Sequence, residues 1–328
     1  MDFPTTLAFN LPSVHDHCQL ECRLRLPSSL RSKDLGQHST LGIRGAIIAH
    51  PYAPLGGSYD DAVVDFLSSE LLQAGYVVTT FNFRGAGGSG GRTSWTGKPE
   101  LGDYVAVYGF MLRYLHHLHT ALSVEPTTRL GGAIHLIIGG YSFGSLIASH
   151  VPTLDVMLDL FSGARRSETP WTAINEIGDA ARTIADECLR HLRSAQESPT
   201  DHRDVFDQPL PHAATQISYL LVSPLLPPVS QLLTAFSALS VTLGGRTSTE
   251  GRPAGRPIDQ LSGFRTLALF GDQDAFTSAR KLRRWAEDMN CIPQSQFRGC
   301  EIQGAGHFWR ESGVETRARL ALREWLQS

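Results

Sequence analysis

The sequence predicts a doubly wound α/β fold, in which helices cover both faces of one mostly parallel sheet and a cap is inserted into the chain. Short, wholly apolar segments alternate with segments whose apolar residues recur at helical spacing. One connection is far longer than a strand and its crossover helix require. Serine, acid and histidine motifs also follow three of the predicted strands. These observations favour one domain, although 328 residues at about 150 per domain would suggest two.

The predicted elements follow one another in a regular order. Residues 5–26 alternate apolar and polar side chains, which predicts an antiparallel pair of strands. Apolar segments typical of strands buried on both faces follow at residues 45–49, 76–83, 133–138, 217–222, 266–270 and, more weakly, 296–302. Helical spacing occupies residues 61–73, 101–119, 145–150, 279–289 and 315–327. On the second of these helices we interpret His116, His117 and His119 as a solvated face.

The connection after Ser142 carries the surplus length. About 75 residues separate Ser142 from the next strand, whereas a strand with its crossover helix needs roughly 30. We interpret residues 151–215, which combine a helical pattern with a polar stretch, as an inserted cap. The core would then comprise residues 1–150 and 216–328. A second polar stretch, residues 244–257, has the composition of a loop.

Composition excludes several classes of protein. The 29 Lys and Arg against 32 Asp and Glu give a net charge of −3, so a nucleic-acid binder is not expected. No stretch approaches 18 uninterrupted apolar residues, and no leader segment is evident, so we expect a cytoplasmic protein with no membrane partner. The oligomeric state stays open. Neither a disulfide scaffold nor a zinc site is expected, because no Cys-x-x-Cys pair occurs among Cys18, Cys22, Cys188, Cys291 and Cys300.

A candidate nucleophile follows the strand predicted over residues 133–138. The segment Gly140-Tyr141-Ser142-Phe143-Gly144 has the Gly-x-Ser-x-Gly pattern between a strand and a helix that a nucleophile elbow requires. A sharp turn strains the backbone at Ser142, and the flanking glycines let strand and helix approach each other. The Phe143 N–H then lies at a helix N-terminus, where negative charge is favoured.

A candidate acid and base follow in the order that a Ser-Asp-His triad requires. Asp274 comes after the strand at residues 266–270, and His307 comes after the next strand. Both lie just past the carboxyl end of a strand, on the side where Ser142 emerges. His307 would accept the serine proton, and a carboxylate would orient the imidazole. Asp272 is the alternative acid, but one residue after Gly271 it is better placed to brace the turn.

The oxyanion of an acyl-transfer intermediate needs a second N–H besides that of Phe143. The loop over residues 50–57 follows the strand at residues 45–49, where this second donor is expected. Pro51 and Pro54 have no N–H, so Tyr52 is the first residue that can donate. His50 and the two prolines are equally compatible with a role in rigidifying the turn.

As a set, these motifs resemble the α/β-hydrolase superfamily, and more narrowly a largely uncharacterised branch with an "HP…GG" loop and an "FNFRG" segment. The set comprises His50-Pro51 with Gly56-Gly57, residues 81–85 with Gly87, Gly88 and Ser89, residues 140–144, Gly271 to Asp274, and Gly306-His307-Phe308. The resemblance implies an eight-stranded sheet, an acyl-enzyme mechanism, and no metal or organic cofactor. The loop departs from the His-Gly-Gly-Gly type, so a lipase-like substrate is not implied. Arg84 would either bind an anionic group or, as we prefer, brace neighbouring loops.

Three functions fit these features. The first is a serine hydrolase acting on an ester, thioester or lactone, with an apolar small-molecule acyl substrate. The second uses the same triad for acyl transfer or carbon–carbon cyclisation of a polyketide-type intermediate, in a pocket lined by the apolar residues 220–236. Core packing explains that apolar stretch equally well. The third is a non-catalytic ligand-binding relative, which a complete triad disfavours.

Overall fold

A central eight-stranded sheet organises the protein. The computed structural model describes residues 6–31, 42–122, 133–162, 172–192, 215–234, 242–243, 246–247 and 256–328. The sheet strands are β1 (Thr6–Pro12), β2 (Gln19–Arg25), β3 (Arg44–Ala49), β4 (Val77–Phe81), β5 (Ile134–Tyr141), β6 (Thr215–Val222), β9 (Arg265–Gln273) and β10 (Phe297–Gly306). Their order across the sheet is β1-β2-β4-β3-β5-β6-β9-β10.

The pairing confirms the predicted fold class. β1 and β2 form the expected antiparallel pair, which joins the sheet by antiparallel pairing of β2 with β4. All the remaining neighbours are parallel, so their carboxyl ends lie along one edge. A separate two-stranded ribbon joins β7 (Thr242–Leu243) to β8 (Arg246–Thr247), the latter within the predicted loop 244–257, most of which lies outside the described residues.

Helices cover both faces of the sheet. They are α1 (Ser28–Arg31), α2 (Ala62–Gln73), α3 (Lys98–Leu122), α4 (Phe143–Ala148), α5 (Leu154–Ser162), α6 (Thr172–Leu192), α7 (Val229–Leu233), α8 (Pro257–Gly263), α9 (Ala279–Asn290) and α10 (Val314–Gln327). One apolar core contains side chains of α3, α5 and α6, and the other contains side chains of α2 and α10. Because both faces are covered, the central strands are buried without alternation, as in β4, whose five residues are all buried.

Two helices of the predicted cap segment fall within the described residues. The ring of Phe161 on α5 packs on Gly109 of α3, where a Cβ would lie 1.9 Å from Phe161 Cζ. Helix α6 packs along α3, and Thr172 at its start contacts the His17 ring beside β1 at 3.0 Å. Residues 163–171 and 193–214 lie outside the described residues, and the domain boundaries stay a prediction.

The interpretation of the α3 histidines as a solvated face is wrong for His117. Its side chain is buried, and Nε2 lies 2.6 Å from Asp186 Oδ1 on α6. His116 is half-buried. The reason is that α6 covers this side of α3, a long-range contact that the periodicity of α3 alone does not reveal.

Within the described part of the chain, no helix is long and apolar enough to cross a membrane. The same residues contain no group of three or more His, Cys, Asp or Glu side chains placed to hold a metal ion. All five cysteines are free thiols.

Stability should fall on mild acidification because of buried histidines. Burial lowers the pKa of His50, His116 and His135 from 6.5 to about 4 in each case. At a pH between the unfolded-state pKa of 6.5 and the folded-state pKa of about 4, each of these histidines is protonated in the unfolded chain and neutral in the folded chain. Lowering the pH through this range therefore favours unfolding. Each site contributes at most about 1.4 kcal/mol per pH unit in this window.

We expect the free energy of unfolding, measured with urea at pH 7 and pH 4.5, to be lower at pH 4.5. The His135→Gln variant should show a smaller pH-dependent loss than the wild type, because it removes one of the protonation sites. His135 suits this test because it lies away from the loops described below, bonded to Tyr76 and Ser218. An equal loss in both proteins would contradict the prediction.

Candidate active site

Ser142 occupies a sharp turn between strand β5 and helix α4. Its φ of 55° and ψ of −114° lie outside the conformations that non-glycine residues ordinarily adopt. A Cβ on Gly140 would lie 2.4 Å from the carbonyl carbon of Gly144, and one on Gly144 would lie 2.4 Å from the Ala49 carbonyl oxygen. Both glycines are therefore required by backbone-to-backbone contact. This is the strained strand-to-helix turn that the sequence predicts at Ser142.

The structure brings Ser142, His307 and Asp274 together in one hydrogen-bonded chain. Ser142 Oγ lies 2.8 Å from His307 Nε2, and His307 Nδ1 lies 2.7 Å from Asp274 Oδ2. All three residues are less than a tenth exposed. Asp274 follows strand β9 and His307 follows strand β10, so both reach Ser142 from the carboxyl edge of the sheet.

The surroundings of Asp274 keep it ionised. Burial, the largest single effect, raises the pKa of its carboxyl, but the hydrogen bond and charge interaction with His307 and the N–H groups of Phe276 and Thr277 together outweigh it. These amides lie 2.8 and 3.0 Å from Oδ1, and the net effect lowers the pKa of Asp274 below 3.8. An ionised carboxylate only accepts, so the His307 proton belongs on Nδ1, and Nε2 is free to accept the Ser142 proton.

The alternative acid, Asp272, does not contact His307. Its Oδ1 instead accepts a hydrogen bond from the Gly304 N–H at 2.6 Å. Gly304 has φ +73°, and the pairing of β9 with β10 shifts register between Ile302 and Gly306. Asp272 thus braces the irregular end of β10 that leads into His307.

Three aromatic residues that sequence reasoning missed hold His307 in place. The Tyr141 hydroxyl donates to the His307 carbonyl oxygen at 2.7 Å, and the Phe276 ring lies over the imidazole with centroids 4.2 Å apart. The buried indole of Trp309 donates to Ser223 Oγ at 2.9 Å, which ties the His307 loop to the end of β6. In the sequence, each of the three lies within two residues of Ser142, Asp274 or His307, and this proximity is the signal that could have identified them.

The two predicted oxyanion donors belong to neighbouring residues. The rings of Tyr52 and Phe143 contact edge to face, with centroids 5.2 Å apart. Within the described part of the chain, neither backbone N–H donates to an acceptor. Both amides are therefore available to a ligand. The pKa of the Tyr52 hydroxyl is raised, first by burial and then by the nearby Glu100.

Arg84 braces loops, which is the role that we prefer for it from the sequence, and its guanidinium is engaged by carboxylates of the protein. Its guanidinium forms a two-point contact with buried Asp103, at 3.0 and 2.7 Å, and another with Asp16, at 2.8 and 3.0 Å. Its Nη2 also donates to Ser13 Oγ at 3.2 Å. Arg84 therefore joins the segment after β4 to helix α3 and to the β1–β2 turn.

Comparison with known proteins supports the fold. The sequence matches no protein-family model and no curated protein. An alpha-beta serine hydrolase homologue from Coxiella burnetii is similar over 99% of this chain and 97% of its own, with 20% identity and a TM-score of 0.50. A candidate alpha/beta hydrolase of unknown function from Agrobacterium tumefaciens is similar over 98% and 94%, with 16% identity and a TM-score of 0.52. The protein has the α/β-hydrolase fold.

The contacts at Gly144 predict a large effect of adding a single methyl group. Gly144→Ala should lower the free energy of unfolding by about 1–3 kcal/mol, because its Cβ would overlap the Ala49 and His50 carbonyl oxygens. Gly178 on α6 is a matched control, since a Cβ there meets nothing within 4 Å. Gly178→Ala should raise stability by up to about 1 kcal/mol. Chemical denaturation measures both changes, and equal effects would contradict the prediction.

Proposed function

We propose that the protein is a serine hydrolase that cleaves esters, thioesters or lactones through an acyl-enzyme on Ser142. One observation carries the proposal: the continuous hydrogen-bonded chain from Ser142 Oγ through His307 to Asp274, with contacts of 2.8 and 2.7 Å. A chain of this kind makes a serine hydroxyl nucleophilic, because the base can accept its proton and the carboxylate stabilises the resulting imidazolium.

Acylation begins when Ser142 Oγ attacks the substrate carbonyl carbon and its proton passes to His307 Nε2. The carbonyl π electrons move to the oxygen, which becomes an oxyanion. His307 then gives the proton to the leaving alcohol or thiol as the bond to it breaks, leaving the acyl group on Ser142. Throughout, Nδ1 keeps its proton and donates a hydrogen bond to Asp274.

The oxyanion would be held by the backbone N–H groups of Phe143 and Tyr52. Phe143 is the first residue of helix α4, so its N–H has no partner within the helix and lies where the helix dipole favours negative charge. Tyr52, whose ring contacts the ring of Phe143, contributes the second N–H.

Deacylation repeats the same proton transfers with water. His307 accepts a proton from a water molecule, the hydroxyl attacks the acyl carbon, and the collapsing intermediate returns the proton to Ser142. The residues described account for each proton and electron pair in both half-reactions, and no step needs a metal or organic cofactor.

Aromatic side chains beside the base favour an apolar substrate. The Phe308 ring is half exposed and lies edge-on to His307, with centroids 5.5 Å apart, and Phe276 contacts both. A leaving group protonated by His307 would therefore pass close to apolar surface. The description of the Coxiella burnetii structure as a serine hydrolase homologue also supports hydrolysis as the reaction class.

Covalent labelling tests the nucleophile. The wild type should react with a fluorophosphonate probe at one residue and turn over short-chain p-nitrophenyl esters, whereas Ser142→Ala should do neither. Peptide mass mapping identifies the labelled residue. Labelling at Ser142 without turnover of simple esters would favour acyl transfer or cyclisation over hydrolysis, and a folded wild type that never labels would overturn the proposal.

A proline substitution tests the second oxyanion donor. Tyr52 has φ −60°, the value that proline imposes, so Tyr52→Pro removes the N–H without requiring a different φ. We expect kcat to fall by about 100- to 1,000-fold, because one oxyanion donor is lost. Tyr52→Ala is the matched control, since it removes the ring but keeps the N–H. The kcat of this variant should fall by less than about tenfold. Equal losses in the two variants would exclude the Tyr52 N–H as the donor.

A further inference from the structure

His50 is a fully buried histidine that the proposed mechanism does not use. It follows the last residue of β3 and makes a hydrogen bond with each ring nitrogen. Nε2 accepts from the Phe83 N–H at 2.9 Å, and Nδ1 lies 2.6 Å from the Pro51 carbonyl oxygen. Since Nε2 accepts, the ring proton belongs on Nδ1, which donates to Pro51. Burial lowers the pKa of His50 to about 4, so this neutral form persists at ordinary pH.

The carbonyl that His50 binds belongs to the same peptide unit as the Tyr52 N–H. A peptide unit is planar, and in the trans form its C=O and N–H point in opposite directions. A hydrogen bond that fixes the direction of the Pro51 carbonyl therefore also fixes the direction of the Tyr52 N–H. The hydrogen bond from His50 acts on the position of the oxyanion donor without touching the substrate.

Gly57 packs closely against the same peptide unit on another side. A Cβ at Gly57 would lie 2.2 Å from the Pro51 carbonyl oxygen and 2.6 Å from its carbon. The Gly57 N–H also donates to the Tyr52 carbonyl at 3.3 Å. His50 and Gly57, from the "HP" and "GG" parts of the loop, thus both contact the Pro51–Tyr52 peptide unit.

The loop is also held against the elbow. A Cβ at Gly144 would lie 2.7 Å from the His50 carbonyl oxygen, so the chain at His50 passes directly over the first turn of α4. Phe83, which donates to His50, is followed by Arg84 with its contacts to Asp103 and Asp16. His50 therefore joins the oxyanion loop to the segment after β4, which Arg84 holds in place through its ion pairs with Asp103 and Asp16.

We propose that His50 is a positioning residue that orients the Pro51–Tyr52 peptide so that its N–H faces the oxyanion. The inference rests on the proposed function, and specifically on Tyr52 as a donor. It assigns the two halves of the imidazole different roles: Nδ1 sets the direction of the donor, and Nε2 joins the loop to the segment after β4.

Two conservative variants separate these roles. The side-chain amide of asparagine reaches about as far as Nδ1 and can donate to Pro51, whereas that of glutamine reaches about as far as Nε2 and can accept from Phe83. His50→Gln should lower kcat by roughly 100-fold with KM within about threefold of the wild type, because the donor loses its orientation while ground-state binding persists. His50→Asn should stay within about tenfold of the wild-type kcat. Thermal melts of both variants compare the loss of stability.

The outcomes distinguish this proposal from a structural role and from failure of the proposed function. If His50 only stabilises the fold, the two variants lose kcat in proportion to their loss of stability, and that result overturns the proposal. An inactive, unlabelled wild type overturns the proposed function itself. In the Tyr52→Pro background, His50→Gln should cause no further loss of kcat. An additional loss as large as in the wild type would overturn the proposal that His50 acts through the Tyr52 N–H.

A second variant covers the case in which His50→Gln does not fold. Gly57→Ala displaces the Pro51 carbonyl from the other direction while leaving His50 intact. It should lower kcat with little change in KM, and the loss should disappear in the Tyr52→Pro background. An unchanged kcat in folded Gly57→Ala overturns the proposal.

Discussion

The close approach of strand β5 to the helix that follows it is the constraint on which the rest of the site depends. Gly140 and Gly144 allow backbone-to-backbone contact within one turn, and this contact forces Ser142 into a conformation with φ 55°. β5 lies between β3 and β6 in the middle of the sheet. A serine raised at this point can therefore be reached by loops from strands on both sides, and the strain at one residue is sustained by packing throughout the sheet.

The loops that reach Ser142 come from opposite sides of β5. From β9 and β10 come Asp274 and His307, each held by contacts outside the triad: the amides of Phe276 and Thr277, the Tyr141 hydroxyl, and the Phe276 ring. From β3 comes the loop over residues 50–57, which is joined through His50 to the segment after β4. In the proposed mechanism one group of loops supplies the acid and base and the other supplies the oxyanion donors, and both are held in place by the protein before substrate binds.

Charged and polar residues near the site are mostly engaged with the protein itself. Arg84 pairs with Asp103 and Asp16, Asp272 binds the Gly304 amide, and His50 binds two backbone groups. Four groups are instead available to a substrate: the Ser142 hydroxyl, the backbone amides of Phe143 and Tyr52, and the half-exposed ring of Phe308. This division explains how a buried polar network and a reactive centre coexist at one edge of the sheet.

The sequence by itself determined the fold class, the antiparallel leading pair and the sharp turn at Ser142, and it predicted His307 as the base, because each depends on local periodicity or on motif order along the chain. It favoured Asp274 over Asp272 only by position. The tertiary structure shows that Asp274 is the carboxylate that contacts His307, at 2.7 Å, whereas Asp272 binds the Gly304 amide. Strand order, the burial of His117 under α6, and the roles of Tyr141, Phe276 and Trp309 also needed the structure. These depend on contacts between residues far apart in the chain, which neither hydrophobic period nor spacing encodes.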